Sequence, residues 1–232
     1  MAQSRSEEMN NKKVSIIIVN WNQKAFLLEC LNSLKSNDKY SDMEIIVVDN
    51  ASTDGSVDAI RGLALKIIQN NVNLGFSKAN NIGMEMSTGK YICLMNSDIK
   101  ILPNCISIIC DYMDNNPNIG MVGPQIFYPD MKLQMSCRHF PNILNQLLNS
   151  LGVTKYLPDG KYCKEATIVR NTKEVDCVSG CLQVARRDAI AQVGLLDEQF
   201  FFYSEDVDWC KRFSNAGWRI VYLTEARAIH YG

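Results

Sequence analysis

Three carboxylates fall within four residues in Glu205-Asp-Val-Asp208, directly after the aromatic run Phe200-Phe-Phe-Tyr203 and Ser204. A carboxylate aimed at a hydroxyl can take its proton as that oxygen attacks an electrophile. Acids in the first turn of a helix also complement the helix dipole, which is a sufficient structural reason for them. The dipole weakens such an acid as a base. That is tolerable where the proton moves late, from an oxygen already made acidic.

A second constellation is Asn96-Ser97-Asp98. Its carboxylate suits a hard divalent cation, Mg²⁺ or Mn²⁺, which takes one or two carboxylates from a protein and shares its other positions with water and phosphate oxygens. The plainer reading is a turn that caps the next helix. A third is Asp49 with Asn50, Ser52 and Asp54. Asp49 is suited to accept from a pyrimidine ring N–H or from ribose hydroxyls, and Asp54 to cap the following helix. The fourth is His230, one of two histidines. It serves either a structural role or as a ligand beside Asp98, the latter only if the last strand returns next to the strand that ends at Asn96.

These residues need elements to position them. Residues 14–19, 43–48, 65–69 and 91–95 are apolar runs of strand length. Between them, helical spacing appears over about 25–36, from 55 through Val57 and Ile60, and over about 77–87, where Gly89 suits the stop. Alternating strand and helix with continuously apolar strands predicts an α/β fold: a Rossmann-like, mostly parallel central sheet with helices on both faces. Ligands of such sheets lie at the carboxyl ends of the strands. That places 20–22, 49–54, 70–75 and 96–98 at one edge. Farther on, helices are expected over 103–115, 187–193 and about 205–217. The first of these leads to Ile119-Gly-Met-Val-Gly-Pro124, and strands are expected over 174–179, 182–185, 219–223 and 228–231.

The 232 residues suit one large domain, with 1–13 as a loose, flexible tail and 14–232 as the folded unit. A net charge of -1 supplies no field for nucleic acid, so a polyphosphate must be held locally. Nine scattered cysteines without a CxxC pair, several in apolar runs, read as reduced, buried thiols of a cytoplasmic protein. No apolar run reaches membrane-span length. No GxGxxG or GxSxG occurs, and Ser87-Thr-Gly-Lys90 precedes a strand rather than a helix, unlike a P-loop.

The segments VSIIIVNWNQ, EIIVVDNASTDGS, NNVNLGFSKANNIG, YICLMNSDI, GMVGPQIFYPD, SCRHFP, VDCVSGCLQVARRDAIAQVGLLDEQFFFYSEDVDWCKR and GWRIVYLTEARAIHYG occur in that order. In these the chain resembles the family 2 glycosyltransferases of the GT-A fold, most closely the rhamnosyltransferase-like bacterial members. The resemblance implies an inverting transfer from a dTDP- or UDP-sugar, with rhamnose the leading sugar. The acceptor it implies is a glycan or lipid-linked hydroxyl, in building a surface polysaccharide. Residues up to about 100 form the nucleotide-binding half, and the rest the acceptor-binding half. Asp206 matches the family's base, with Glu205 beside it. Asp98 matches the metal-binding acid, and His230 a late ligand of the Mn²⁺ or Mg²⁺. Asp49 matches the base-reading acid. Val19, Asn20, Asn22 and Ser52 fall in nucleotide-contacting loops. Asn73, Gly75, Phe76, Asn80, Asn96, Ser97, Ser179 and Gly180 fall near the donor. Asn96 replaces the first acid of the family's DXD motif, which weakens metal affinity. The sequence ends at Gly232, where the family usually continues, which leaves open whether His230 is ordered and the acceptor site complete.

Phe140, Ile143, Leu144, Leu147, Leu148 and Leu151 form an apolar helical stripe, read as core packing or as a peripheral contact with the inner membrane face. Two other functions remain open. A sugar-phosphate nucleotidyltransferase would need a Gly-rich basic loop where Asn20-Trp-Asn-Gln23 stands. A non-catalytic nucleotide-sugar-binding scaffold is disfavoured by the retained Glu205 and Asp206.

Overall fold

The computed structural model describes residues 13–38, 43–140 and 171–232. Its centre is one mixed sheet. Strands β1 (Val14–Asn20), β2 (Met43–Asp49), β3 (Lys66–Gln69) and β4 (Tyr91–Asn96) run parallel in the order β3-β2-β1-β4. The sheet continues through β11 (Leu182–Arg186), β6 (Ile119–Phe127), β12 (Arg219–His230) and β5 (Ile99–Ile101). β11 is antiparallel to both its neighbours and β5 is antiparallel to β12, whereas β6 and β12 are parallel. Short strands β7 (Leu133–Gln134) and β9 (Lys173–Glu174) pair onto β6 and β12. A separate two-stranded ribbon joins β8 (Cys137–Arg138) to β10 (Cys177–Val178).

Both faces of the sheet are covered, which is why its strands are apolar throughout. On one face Ile16, Ile18 and Val47 pack with Leu27, Leu31 and Leu34 of α1 (Lys24–Asn37), Ile60 of α2 (Ser56–Ile60), and Ile106 and Ile109 of α4 (Cys105–Asn115). On the other, Ile17, Ile46, Val48 and Leu94 pack with Ala79 and Met84 of α3 (Phe76–Glu85), Ile190 of α5 (Arg187–Val193), and Trp209 and Phe213 of α6 (Glu205–Asn215). Successive side chains of β1 thus serve two cores, as period-2 geometry demands. The eight described cysteines are free and buried.

The two late strands expected over 219–223 and 228–231 are one strand. A register shift between Leu223 and Arg227 lets Thr224 and Glu225 interrupt the apolar pattern without ending the pairing with β6. The strand expected over 174–179 divides into β9 and β10, which pair with different partners. β5, only three residues long, was not expected. Residues 1–12 and the apolar stripe beyond Phe140 lie outside the described residues. No described helix is long and apolar enough to cross a membrane.

Candidate active site

The parallel strands β1 and β2 end side by side at Asn20 and Asp49, which are register partners. Asn20 is fully buried and donates through Nδ2 to Asp49 Oδ1 at 2.9 Å and to Ser52 Oγ at 3.1 Å. Asp49 Oδ2 accepts the Ser52 amide at 2.9 Å. Asn22, in a left-handed conformation, accepts the Thr53 amide at 2.7 Å and donates its own amide to Ser52 Oγ at 2.9 Å. Two loops are therefore sewn into one surface before any ligand arrives. Asp54 caps, as its position implies: Oδ2 accepts the Lys24 amide that opens α1, and Oδ1 accepts the Ser56 amide that opens α2. Val19 is flanked in register by Val48 and Asn96, so the first and fourth strand ends meet there too.

Asn50 extends the network. It donates to the Gly75 carbonyl at 3.1 Å and accepts from Asn70 at 2.8 Å. Asn73 accepts the Gly75 amide at 2.9 Å. Gly75 has φ +83° and ψ 178°, a region essentially confined to glycine. A Cβ there would lie 2.7 Å from both the ring and the carbonyl oxygen of Phe201. That carbonyl accepts the Phe76 amide at 2.7 Å, and Phe202 meets Phe76 edge-on. The aromatic loop before α6 is thus docked on the start of α3. Asn80 is fully buried, donates to the Phe76 carbonyl, and leaves its Oδ1 unpartnered among the described residues.

α6 begins after two consecutive non-glycine residues in the left-handed region, Tyr203 and Ser204. The three acids occupy its first turn, as expected, but they do different things. Asp208 pairs with Arg212 one turn on, at 2.8 Å, a structural use. Asp206 is 5% exposed, and its Oδ2 accepts from Arg138 Nη2 at 2.6 Å and from the Gly180 amide at 3.1 Å. Its Oδ1 accepts the Val207 amide at 2.8 Å. Glu205 is buried beside it with Oε2 unpartnered among the described residues. Burial raises the Glu205 carboxyl above the usual glutamate range, and the neighbouring Asp206 charge adds to the rise. Gly180 is close to both: a Cβ on it would lie 3.3 Å from Asp206 Cβ and 3.6 Å from Glu205 Oε1. Ser179 donates its amide to the Ser136 carbonyl.

Asp98 and His230 do meet, with Nε2 3.4 Å from Oδ1. The route differs from the expected one. β12 pairs not with β4 but with β5, whose first residue follows Asp98, and His230 is the register partner of Ile99. His230 is the last residue of β12, and the Tyr231 amide donates to the Asp98 carbonyl at 3.1 Å. His230 Nδ1 faces Gln134 Oε1 at 3.1 Å. With the ring proton donated there, the Nε2 lone pair faces a buried carboxylate oxygen that has no hydrogen-bond partner among the described residues. Two electron pairs opposed in that way suit a cation between or beside them. Asp98 and His230 therefore fit a divalent ion, although no group of three or more His, Cys, Asp or Glu side chains suited to a metal occurs among the described residues. Ser97 is turned away and donates to Gln23 at 2.7 Å.

The two ends of the site are joined by two hydrogen bonds. Gly180 donates to Asp206, and the carbonyl of the next residue, Cys181, accepts the Asn96 amide at 2.9 Å. Arg138 is the residue that sequence reasoning missed. It sits on a two-residue strand, and only its place in SCRHFP set it apart.

The model for glycosyl transferase family 2 matches residues 15–194. The chain belongs to that family. Among its relatives, the N-acetylglucosaminyl-diphospho-decaprenol L-rhamnosyltransferase of Mycobacterium tuberculosis is 28% identical over 205 residues, which are 82% of this chain and 66% of that protein. The dTDP-rhamnosyl transferase RfbF of Shigella flexneri is 25% identical over 226 residues, 95% of this chain and 69% of that one. The crystal structure of GalNAc-T7 with UDP, GalNAc and Mn²⁺ superposes with a TM-score of 0.71 at 14% identity, covering 95% of this chain and 44% of that one. This likeness establishes the GT-A fold for the family 2 chain. The chain thus spans about two thirds of the mycobacterial relative and under half of the superposed structure.

Proposed function

We propose that this chain is an inverting glycosyltransferase that moves a sugar, with rhamnose the leading candidate, from a dTDP- or UDP-sugar to a hydroxyl of a glycan or lipid-linked acceptor in surface polysaccharide synthesis. Residues 14–232 act as one domain, with a nucleotide-binding half to about residue 100 and an acceptor-binding half after it. Rhamnosyl transfer in both relatives' names, with dTDP in one and a lipid diphosphate in the other, supports the choice of substrates. The observation that carries the reading is the pair of hydrogen bonds linking Asp206, through Gly180 and Cys181, to the segment Asn96–Asp98. A base and a diphosphate-holding acid must lie within one sugar's reach of each other, and this short run of contacts supports that placement.

In this reading Asp49 and Asn20 receive the nucleobase, Asn22, Val19 and Ser52 shape its rim, and Asn73, Gly75 and Asn80 border the sugar. Asp98 and His230 would hold a Mn²⁺ or Mg²⁺ ion, with Asn96 as a neutral neighbour. Such an ion offsets the charge of the departing nucleoside diphosphate. Asp206 accepts the proton of the acceptor hydroxyl as its oxygen bonds to the anomeric carbon from the face opposite the diphosphate. A single base suffices, because inversion needs no covalent sugar–enzyme intermediate. Work at the cytoplasmic face of the membrane agrees with a lipid-linked acceptor.

The test is release of nucleoside diphosphate from dTDP-rhamnose and a panel of UDP-, GDP- and CMP-sugars, with Mn²⁺ and an acceptor extract. Asp206→Asn should lower turnover by at least about 100-fold while donor binding persists. Unchanged turnover in that variant removes Asp206 as base. Donor binding without turnover by the unaltered chain would favour the scaffold reading.

A further inference from the structure

A carboxylate offers about four acceptor positions, two on each oxygen. Asp206 Oδ2 has both filled, by Arg138 Nη2 at 2.6 Å and the Gly180 amide at 3.1 Å. Oδ1 has one filled, by the Val207 amide at 2.8 Å. The remaining position, on Oδ1, is the one left to meet an acceptor hydroxyl. Three donors from three separate parts of the chain therefore select which oxygen is available. Turning the carboxylate about its bond to Cβ breaks all of them together.

The three donors are not equivalent. Two are neutral backbone amides, whereas Arg138 is the one cation in contact with Asp206 among the described residues. Charge-assisted bonds are shorter and stronger than neutral ones, and this is the shortest of the three. Asp206 is 5% exposed, so its ionised form is poorly hydrated and depends on that partner. Arg138 is in a position to serve. Its backbone is pinned in the β8–β10 ribbon, where Cys137, Cys177 and Val178 are buried, while its side chain is 44% exposed. The backbone is held in the ribbon, and the side chain is open to solvent.

We propose that Arg138 is a positioning residue for the base: its guanidinium holds Oδ2, keeps Oδ1 turned to the acceptor, and supplies the counter-charge for the ionised carboxylate. The proposal rests on the glycosyltransferase reading above. In this assignment Arg138 acts through Asp206, its ion-pair partner. When Asp206 takes up the acceptor proton its charge is lost, and the ion pair loosens as the product forms.

The experiment compares the full chain with Arg138→Ala, using the donor that the unaltered chain turns over best. Arg138→Ala should lower kcat by about 100-fold, the scale of a misplaced catalytic group, with donor KM within about threefold. Because the side chain is open to solvent, guanidinium chloride at tens of millimolar should restore kcat at least about tenfold. Sodium chloride at equal ionic strength should not, and Asp206→Asn should gain nothing from guanidinium. A merely structural arginine would lower the melting temperature and show no such rescue. If the alanine variant does not fold, Arg138→Gln keeps bulk and a donor without charge and should show the same loss of kcat. Wild-type kcat in either variant, a loss confined to donor KM, or rescue no greater than that by sodium chloride overturns the proposal. An unaltered chain that turns over no donor overturns both this proposal and the function on which it rests.

Discussion

At the scale of single residues, the acid pair at the start of α6 divides one motif into two environments. Asp206 is ionically paired and fully bonded on one oxygen, whereas Glu205 is buried with an oxygen left without a partner among the described residues. Glu205 has a raised pKa in the fold, caused first by burial and then by the charge of Asp206. The folded state therefore holds that proton more tightly than the unfolded chain does. Its contribution to stability is fully present below the unfolded value of 4.5 and is lost as pH rises through the raised one. Glu205→Gln removes the titration. The variant and the unaltered chain should therefore differ by a constant amount below about pH 4.5, and the variant should gain on it as pH rises from there through the raised value. Each kcal/mol so relieved should appear as about 2–4 °C of melting temperature for a chain of this size. Parallel melting curves at every pH would remove the burial argument.

At the scale of elements, the strand–helix alternation up to Asn96 was legible because each strand is buried on both faces and each helix on one. Ile16, Ile17 and Ile18 serve two cores at once, and α1 turns Leu27, Leu31 and Leu34 inward. Asp49, Asp98 and Asp206 could be picked out because each lies at or just past a strand end or in the first turn of a helix. The Asp98–His230 contact depends on β12 returning beside a three-residue strand, a pairing that sequence spacing does not encode. Arg138 was illegible for the same reason, since its two-residue strand carries no periodicity. The docking of the aromatic loop on α3 was also hidden, because it runs through the Phe201 carbonyl rather than through side chains. Gly75 makes that docking feasible. Gly75→Ala would force a Cβ to within 2.7 Å of that carbonyl and occupy backbone angles that alanine avoids. The substitution should cost at least about 2 kcal/mol and lower the melting temperature by about 4–8 °C. The Phe76 amide should then exchange with solvent faster in hydrogen-exchange measurements. Unaltered melting and exchange would mean that the loop is held by its rings alone.

At the scale of the whole molecule, the strand ends form one edge, but the residues on it come from opposite ends of the sequence. Asn20 and Asp49 end the first two strands, while Asp98, two residues past the end of β4, meets His230 where β5 and β12 pair. A net charge of -1 gives the protein no general attraction for a polyphosphate, so in the proposed reading a nucleotide needs both places. A nucleoside alone reaches only the first. A nucleoside diphosphate with a divalent ion spans to the second and should bind in proportion to the ion's presence. A ligand at 100 times its Kd stabilises the native state by about 2.7 kcal/mol. For this chain that corresponds to about 5–11 °C in melting temperature. With Mn²⁺, dTDP or UDP should give a shift of that order, whereas thymidine or uridine should give a smaller one that Mn²⁺ does not change. Asp98→Ala and His230→Ala should each erase the metal-dependent part and leave the nucleoside response intact. Asp49→Ala should do the reverse, weakening nucleoside and nucleotide alike. If His230→Ala keeps the full Mn²⁺-dependent shift, the histidine is only a strut between Gln134 and Asp98, and the ion sits elsewhere on the edge. If nucleoside and nucleoside diphosphate shift the protein equally, the two ends of the edge do not bind one ligand.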